Sequence, residues 1–251
     1  DHPDVIEGQA SVGVEILNQL GQAPDMIITP VGGGGISSGL VKYFENHKID
    51  FKFCEPLGGR SLYEALLANK LITLDHVDNF VDGAAVARIG DHNFEILRNQ
   101  KASDVLGIPE GRICTTITDM LNIEGIVLEP AGALAIDALK DLKDQIMGKK
   151  IVCIASGGNF DFERLPDIKE RALRFEGLKK YFILRMPQRP GALKDFLNLL
   201  GPNDDIARFE YLKKSARNFG SVLLGIESGS AEGFKDLCKR MTDNGFTFED
   251  I

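Results

Sequence analysis

Basic clusters, long apolar runs and paired cysteines are all missing from these 251 residues. Lys and Arg total 29 against 37 Asp and Glu, a formal net charge of −8. An acidic chain without a basic run builds no field to neutralise the phosphates of a duplex, so no nucleic-acid partner is expected. No apolar stretch approaches the roughly 18 residues a membrane helix needs, so no membrane partner is expected either. Asp1-His2-Pro3-Asp4 opens the chain without a signal-peptide pattern. The cysteines Cys54, Cys114, Cys153 and Cys238 are scattered with no CxxC spacing, the pattern of reduced thiols in a cytoplasmic protein. His2, His47, His76 and His92 show no ligand spacing, and no metal is predicted. No G-x-S-x-G turn surrounds Ser37, which removes the Ser–His–Asp reading.

What is present is ordinary globular composition, 43% hydrophobic and 26% charged, in a length that suits one mid-sized domain and a small one. A helix is predicted over about residues 10–20, then a buried strand at Met26-Ile27-Ile28-Thr29-Pro30-Val31. A helix follows to about residue 46, a strand over 51–55 and a helix over 61–69. This alternation implies an α/β domain with a parallel sheet covered on both faces. Helices are expected over 91–100, 110–123 and 131–146, a strand over 150–156, and a charged helix over 162–174. Gly177 marks the predicted boundary, giving domains of residues 1–176 and 177–251. The second reads βαββαβ, a small α+β ferredoxin-like module with strands at 181–185, 206–213, 221–227 and 246–251 and helices at 190–200 and 231–244.

Between the first strand and its helix stand Gly32, Gly33, Gly34 and Gly35. Consecutive residues without Cβ atoms let their amides turn inward together, and the helix start adds partial positive charge, so the run is a candidate anion site. It is neither a P-loop, since Gly39 is followed by Leu40-Val41, nor a dinucleotide fingerprint, since the third glycine position is Ser37. A flexible connection with a tight helix–strand contact is the competing reading. Ser156-Gly157-Gly158-Asn159 closes a second strand, and two glycine-rich corners at the carboxyl ends of strands are expected to face one cleft. Phe209, Tyr211 and Phe219 read as a core face with cross-strand partners.

Pro30-Val31-Gly32-Gly33-Gly34-Gly35-Ile36 resembles the phosphate-binding loop of fold-type II pyridoxal-phosphate enzymes. Four further segments resemble the threonine dehydratase branch in order and spacing: Val5-Ile6-Glu7-Gly8-Gln9, Asp82-Gly83-Ala84-Ala85-Val86-Ala87-Arg88-Ile89-Gly90, Glu129-Pro130-Ala131-Gly132-Ala133 and Ser156-Gly157-Gly158-Asn159. Residues 185–193, with Phe209-Glu210-Tyr211 and residues 222–226, resemble the ACT-like regulatory module of biosynthetic threonine dehydratases.

The resemblance implies pyridoxal 5'-phosphate as cofactor, its phosphate on the amides of Gly32, Gly33, Gly34, Gly35 and Ile36. It implies Ser156 at the pyridine nitrogen and Gly83 near the ring. It further implies L-threonine as substrate, a homo-oligomer, and isoleucine as effector with valine a candidate opponent. Pro190 and Gly191 are the candidate effector residues, with Pro190 expected to start a helix. Some relatives hold a cation on a glutamate like Glu55 and an aspartate six residues on, where Ser61 stands here. The S-F-K-x-R-G-type motif that carries the family's cofactor-binding lysine is not found in these residues. Lys42, Lys48 and Lys52 read as surface lysines, and no catalytic residue is assigned. The chain is thus similar to the carboxyl-terminal part of a dehydratase and is expected to be inactive alone. A non-catalytic amino-acid sensor and a related serine/threonine dehydratase are the alternatives.

Overall fold

The computed structural model describes residues 1–213 and 219–251. They divide into two compact units, Asp1–Ile168 and Lys169–Ile251. The division falls inside a helix, Leu165–Phe175, so the predicted boundary at Gly177 lies just beyond that helix's end.

In the first unit, α1 (Pro3–Leu20) begins earlier than its apolar pattern announces. Pro3 occupies a first-turn position where its missing N–H is no loss, and the His2 side chain accepts from the Asp4 amide. Residues 3–9, outside the helix predicted over about 10–20, are therefore its first turns. β1 (Met26–Pro30) follows, buried along its whole length, and then α2 (Gly35–Tyr43), β2 (Asp50–Pro56), α3 (Ser61–Ala68) and α4 (Asp91–Leu97). β3 (Val105–Ile108) is a strand that the sequence reading did not anticipate, between the helices expected over 91–100 and 110–123. Four residues including Gly107 are too short to show a period, and parallel pairing with β2 makes the strand.

α5 (Glu110–Asp119) runs on into a π-helical turn at Met120–Glu124. The single helix expected over 131–146 is instead α6 (Pro130–Asp137), a 3₁₀ turn and α7 (Lys143–Ile146). At the break, the fully buried Asp137 accepts from Arg112 Nε at 2.7 Å, Thr116 Oγ1 at 2.6 Å and Lys140 Nζ at 3.1 Å. β4 (Ile151–Cys153) is shorter than predicted. It pairs only with β1, and past Ile154 the chain peels away.

The sheet order is β3-β2-β1-β4, all parallel. Leu40, Phe44, Phe53, Leu62, Phe94 and Leu97 form much of its core. Glu55, on β2, is buried and caps α3: its carboxylate accepts from the amides of Leu62 at 2.8 Å and Tyr63 at 3.0 Å, with Ser61 Oγ at 3.5 Å. No cluster of His, Cys, Asp and Glu suited to a metal occurs among the described residues. Nor is any helix there long and apolar enough to cross a membrane.

α8 is the helix Leu165–Phe175. The second unit then runs β5 (Lys179–Pro187), α9 (Ala192–Leu197), β6 (Asp204–Lys213), β7 (Phe219–Ser228), α10 (Ala231–Asp243) and β8 (Thr247–Asp250). Its antiparallel sheet has the order β6-β7-β5-β8, the ferredoxin-like arrangement. Phe182, Leu184, Phe196, Leu224, Phe234 and Leu237 fill the core beneath it. Phe209 packs against that core, but Tyr211 and Phe219 are exposed, so the expected three-residue core face reduces to one. Pro190 does not start the helix. It precedes Gly191, which caps α9 at φ +83°.

Burial pushes the Glu55 carboxyl up from its ordinary 4.5 to about 7, against the pull of the two amides. The folded state therefore keeps this proton where the unfolded chain has lost it. Its contribution to stability is full below about pH 4.5 and is lost as pH rises through about 7, on the order of 3 kcal/mol in all. Urea unfolding followed by circular dichroism between pH 4.5 and 8 is expected to show this decline. Glu55→Gln should flatten it, and identical pH slopes in both proteins would refute the assignment.

Candidate functional site

β1 ends in a proline and α2 begins in glycine, and between them the chain leaves its amides open. Gly34 caps α2 at φ +94°, a conformation that glycine alone enters without strain, and no side chain caps the helix. The main-chain N–H groups of Gly32, Gly33, Gly34, Gly35 and Ile36 have no hydrogen-bond partner among the described residues. Ser37 ties the first helical turn back to the strand end, its Oγ donating to the Pro30 carbonyl at 3.0 Å. Five donors without a partner among the described residues, at the start of a nine-residue helix, suit an anion.

A cavity of about 320 Å³ opens over these amides. Residues 32–36 line it together with Gly83, Ala84, Glu129, Ala131 and Ser156. Every residue predicted from the sequence to touch the cofactor is thus brought to one cavity. Close approach of backbones makes this possible: a Cβ on Gly32 would lie 2.9 Å from the Gly83 carbonyl oxygen. A Cβ on Gly157 would collide with the Glu129 carboxylate, and the Glu129 amide donates to the Gly157 carbonyl at 3.2 Å. Glu129 was not singled out as a site residue from sequence. Its signal was the Glu129-Pro130-Ala131-Gly132-Ala133 segment, whose carboxylate reaches the cavity only because α6 starts beside Ser156.

No lysine lines this cavity among the described residues. Lys42 and Lys48 are exposed, as expected. Lys52 is not a surface lysine: it is nearly buried, with Nζ at 2.9 Å from Asp50 and 2.6 Å from Asp104. Those carboxylates outweigh its burial and raise its pKa. It anchors β2 to the turn before β3 and is committed there.

Residues 1–157 match the family described as pyridoxal-phosphate dependent enzyme. The chain belongs to that family. Residues 170–251 match the C-terminal regulatory domain of threonine dehydratase. A Bacillus subtilis protein named L-threonine dehydratase biosynthetic IlvA is 46% identical across the whole of this chain. A second of that name, from Staphylococcus epidermidis, is 48% identical over 88% of the chain. The chain spans about 60% of the length of the first of these relatives and 54% of the second. Among solved structures, the processed form of threonine deaminase isoform 2 from Solanum lycopersicum is 33% identical with a TM-score of 0.64, over 68% of this chain and 51% of that one. Serine racemase from Dictyostelium discoideum is 30% identical with a TM-score of 0.58, over 64% and 52%.

The cavity fits the family's cofactor. Its donors suit a phosphate, its glycines keep the floor low, and the Ser156 hydroxyl is exposed on its wall. A Cβ on Gly33 would meet nothing within 4 Å, and its backbone is not left-handed. Gly33→Ala is therefore expected to fold normally, while Gly33→Asp folds but sets a carboxylate among the anion's donors. Calorimetry with inorganic phosphate should show binding lost in the aspartate variant and retained in the alanine one. Equal affinity in both would dismiss the loop as an anion receptor.

Proposed function

We propose that this chain is the cofactor-holding and regulatory part of a biosynthetic threonine dehydratase, which converts L-threonine to 2-oxobutanoate and ammonia. The observation that carries the reading is the pairing, in one chain, of the glycine-floored cavity with a unit matching the threonine dehydratase regulatory domain.

When bound, pyridoxal 5'-phosphate supplies an electron sink for the bond-breaking at the substrate's α-carbon. The chain's own residues hold and tune it. The amides of residues 32–36 bind the phosphate. The Ser156 hydroxyl meets the ring nitrogen without keeping it protonated as a carboxylate would, which suits elimination of a β-hydroxyl. Gly83 leaves room beside the ring: it is crowded already, since a Cβ there would lie 2.9 Å from Ala131 Cβ. The lysine that would bond the cofactor and take the α-proton is not contributed by the described lining of this cavity.

Pro190 and Gly191 line a groove of about 590 Å³ in the second unit, with Arg189, Leu193 and Tyr211 on its walls. Arg189, which pairs with Asp195 at 2.6 Å, and Lys194 stand beside apolar side chains there, a setting that suits the carboxylate and branched side chain of isoleucine, with valine as competitor. Exposed Leu193, Leu197, Leu212 and Phe219, together with the free edge of β6, support self-association into a homo-oligomer.

Two measurements test this. The isolated chain with pyridoxal phosphate and L-threonine is expected to yield no 2-oxobutanoate, because a positioned amine provides on the order of 7–11 kcal/mol that a surface lysine cannot. Turnover matching the relatives would overturn that part. Isoleucine calorimetry should show weaker binding in Gly191→Asp than in Gly191→Ala, which shares the backbone strain at φ +83° but adds no charge. Identical affinities would remove Gly191 from the effector site.

A further inference from the structure

We propose that Asn93 is a positioning residue for the anion-binding loop, its side-chain amide setting the Gly33–Gly34 peptide so that the Gly34 N–H faces the phosphate. The proposal rests on the cofactor reading above. Asn93 sits in α4, 60 residues along the chain from the loop it touches, and is 2% exposed. Its Nδ2 donates to the Gly33 carbonyl oxygen at 2.7 Å, shorter than the 3.1 Å bond that the same oxygen accepts from the Gly90 amide. The peptide is trans, so its C=O and N–H point in opposite directions. Holding the Gly33 oxygen toward α4 therefore holds the Gly34 N–H away from α4, on the side of the open amides.

Two further facts separate this from ordinary packing. Asn93 Oδ1 is buried without a hydrogen-bond partner among the described residues. An unsatisfied buried oxygen is costly, and an apolar side chain of similar size would avoid that cost. What the amide gives in return is its single donated bond to the loop. The residue's main chain is fixed as well: Ser38 Oγ, on α2, donates to the Asn93 main-chain carbonyl at 3.3 Å, and Asn93 Cβ stands 3.1 Å from where a Gly34 Cβ would be. Without the Asn93 bond, the longer Gly90 bond alone restrains the Gly33 oxygen among the described residues, and the peptide turns that oxygen toward the anion more readily.

The test uses the whole chain and inorganic phosphate, with ¹⁵N-glycine NMR and thermal unfolding in parallel. Asn93→Leu removes the donor and the unpaired oxygen together. Its Tm is expected to hold or rise while phosphate binding weakens by about tenfold or more, the worth of one bond to a charged group. A packing role alone predicts the reverse, and a variant binding phosphate as tightly as the original chain overturns the proposal. In the unaltered chain, the Gly34 amide is expected to shift with phosphate alongside those of Gly33 and Gly35. A Gly34 resonance that stays fixed while its neighbours move overturns the proposal without any variant. If no loop amide responds and pyridoxal phosphate does not bind, the cofactor reading itself fails, and the original chain alone reveals this.

Discussion

Main-chain N–H groups buried without a partner each cost about 1–3 kcal/mol, and the five amides that lack one among the described residues stand instead on the wall of an open cavity, where water or an anion reaches them. The first unit is arranged around that constraint. The amides stay open because their carbonyls are already engaged or turned away: Gly33 toward α4, Gly34 into the first turn of α2. An anion offers those amides a charged acceptor in place of water, which suits the loop to a partner from outside the chain. A flexible glycine linker would have no such requirement, and the left-handed Gly34 with the buried Ser37–Pro30 bond shows that this loop is held rather than loose.

The scaffold keeps that loop in place by committing other charges elsewhere. Glu55, which in some relatives of this family would be a cation ligand, spends its carboxylate on the start of α3. Lys52 is locked between Asp50 and Asp104, and Arg112 joins α5 to the end of α6 through Asp137 and to the 3₁₀ turn after it through Asp141. The placement of α6 matters most, because its first residues set Glu129 and Ala131 on the cavity wall beside Ser156. Stability and site geometry are in this respect the same contacts.

The second unit follows a different logic. Its antiparallel sheet buries one face and leaves a helix start, Gly191 before α9, at the rim of an open groove. At another corner, Asp204 gathers Ser228 Oγ at 2.7 Å, the Gly201 amide at 2.7 Å and Arg240 at 3.1 Å, which ties β6 to β7 and α10. Both corners carry an ion pair, Arg240–Asp204 at one and Arg189–Asp195 at the other, and each borders a cavity, of about 320 and 590 Å³.

Much of this was legible in local sequence. Met26-Ile27-Ile28-Thr29 combines apolar and β-branched side chains, so a central buried strand needed no partner to be recognised, and the tetraglycine run that follows made open amides a candidate reading from composition. The order of βαββαβ elements in the second unit could be read for the same reason: each element is amphipathic by itself. Other features belong to the tertiary structure. β3 has no period of its own and becomes a strand by pairing with β2. Lys52 reads as a solvated lysine until the fold brings Asp104 to it, and Asn93 reads as a polar helix residue until α4 packs against the loop. Composition and period are properties of neighbouring residues, and so a sequence determines which amides are free to bind. Which way they point depends on groups dozens of residues away, and only the packed chain decides that.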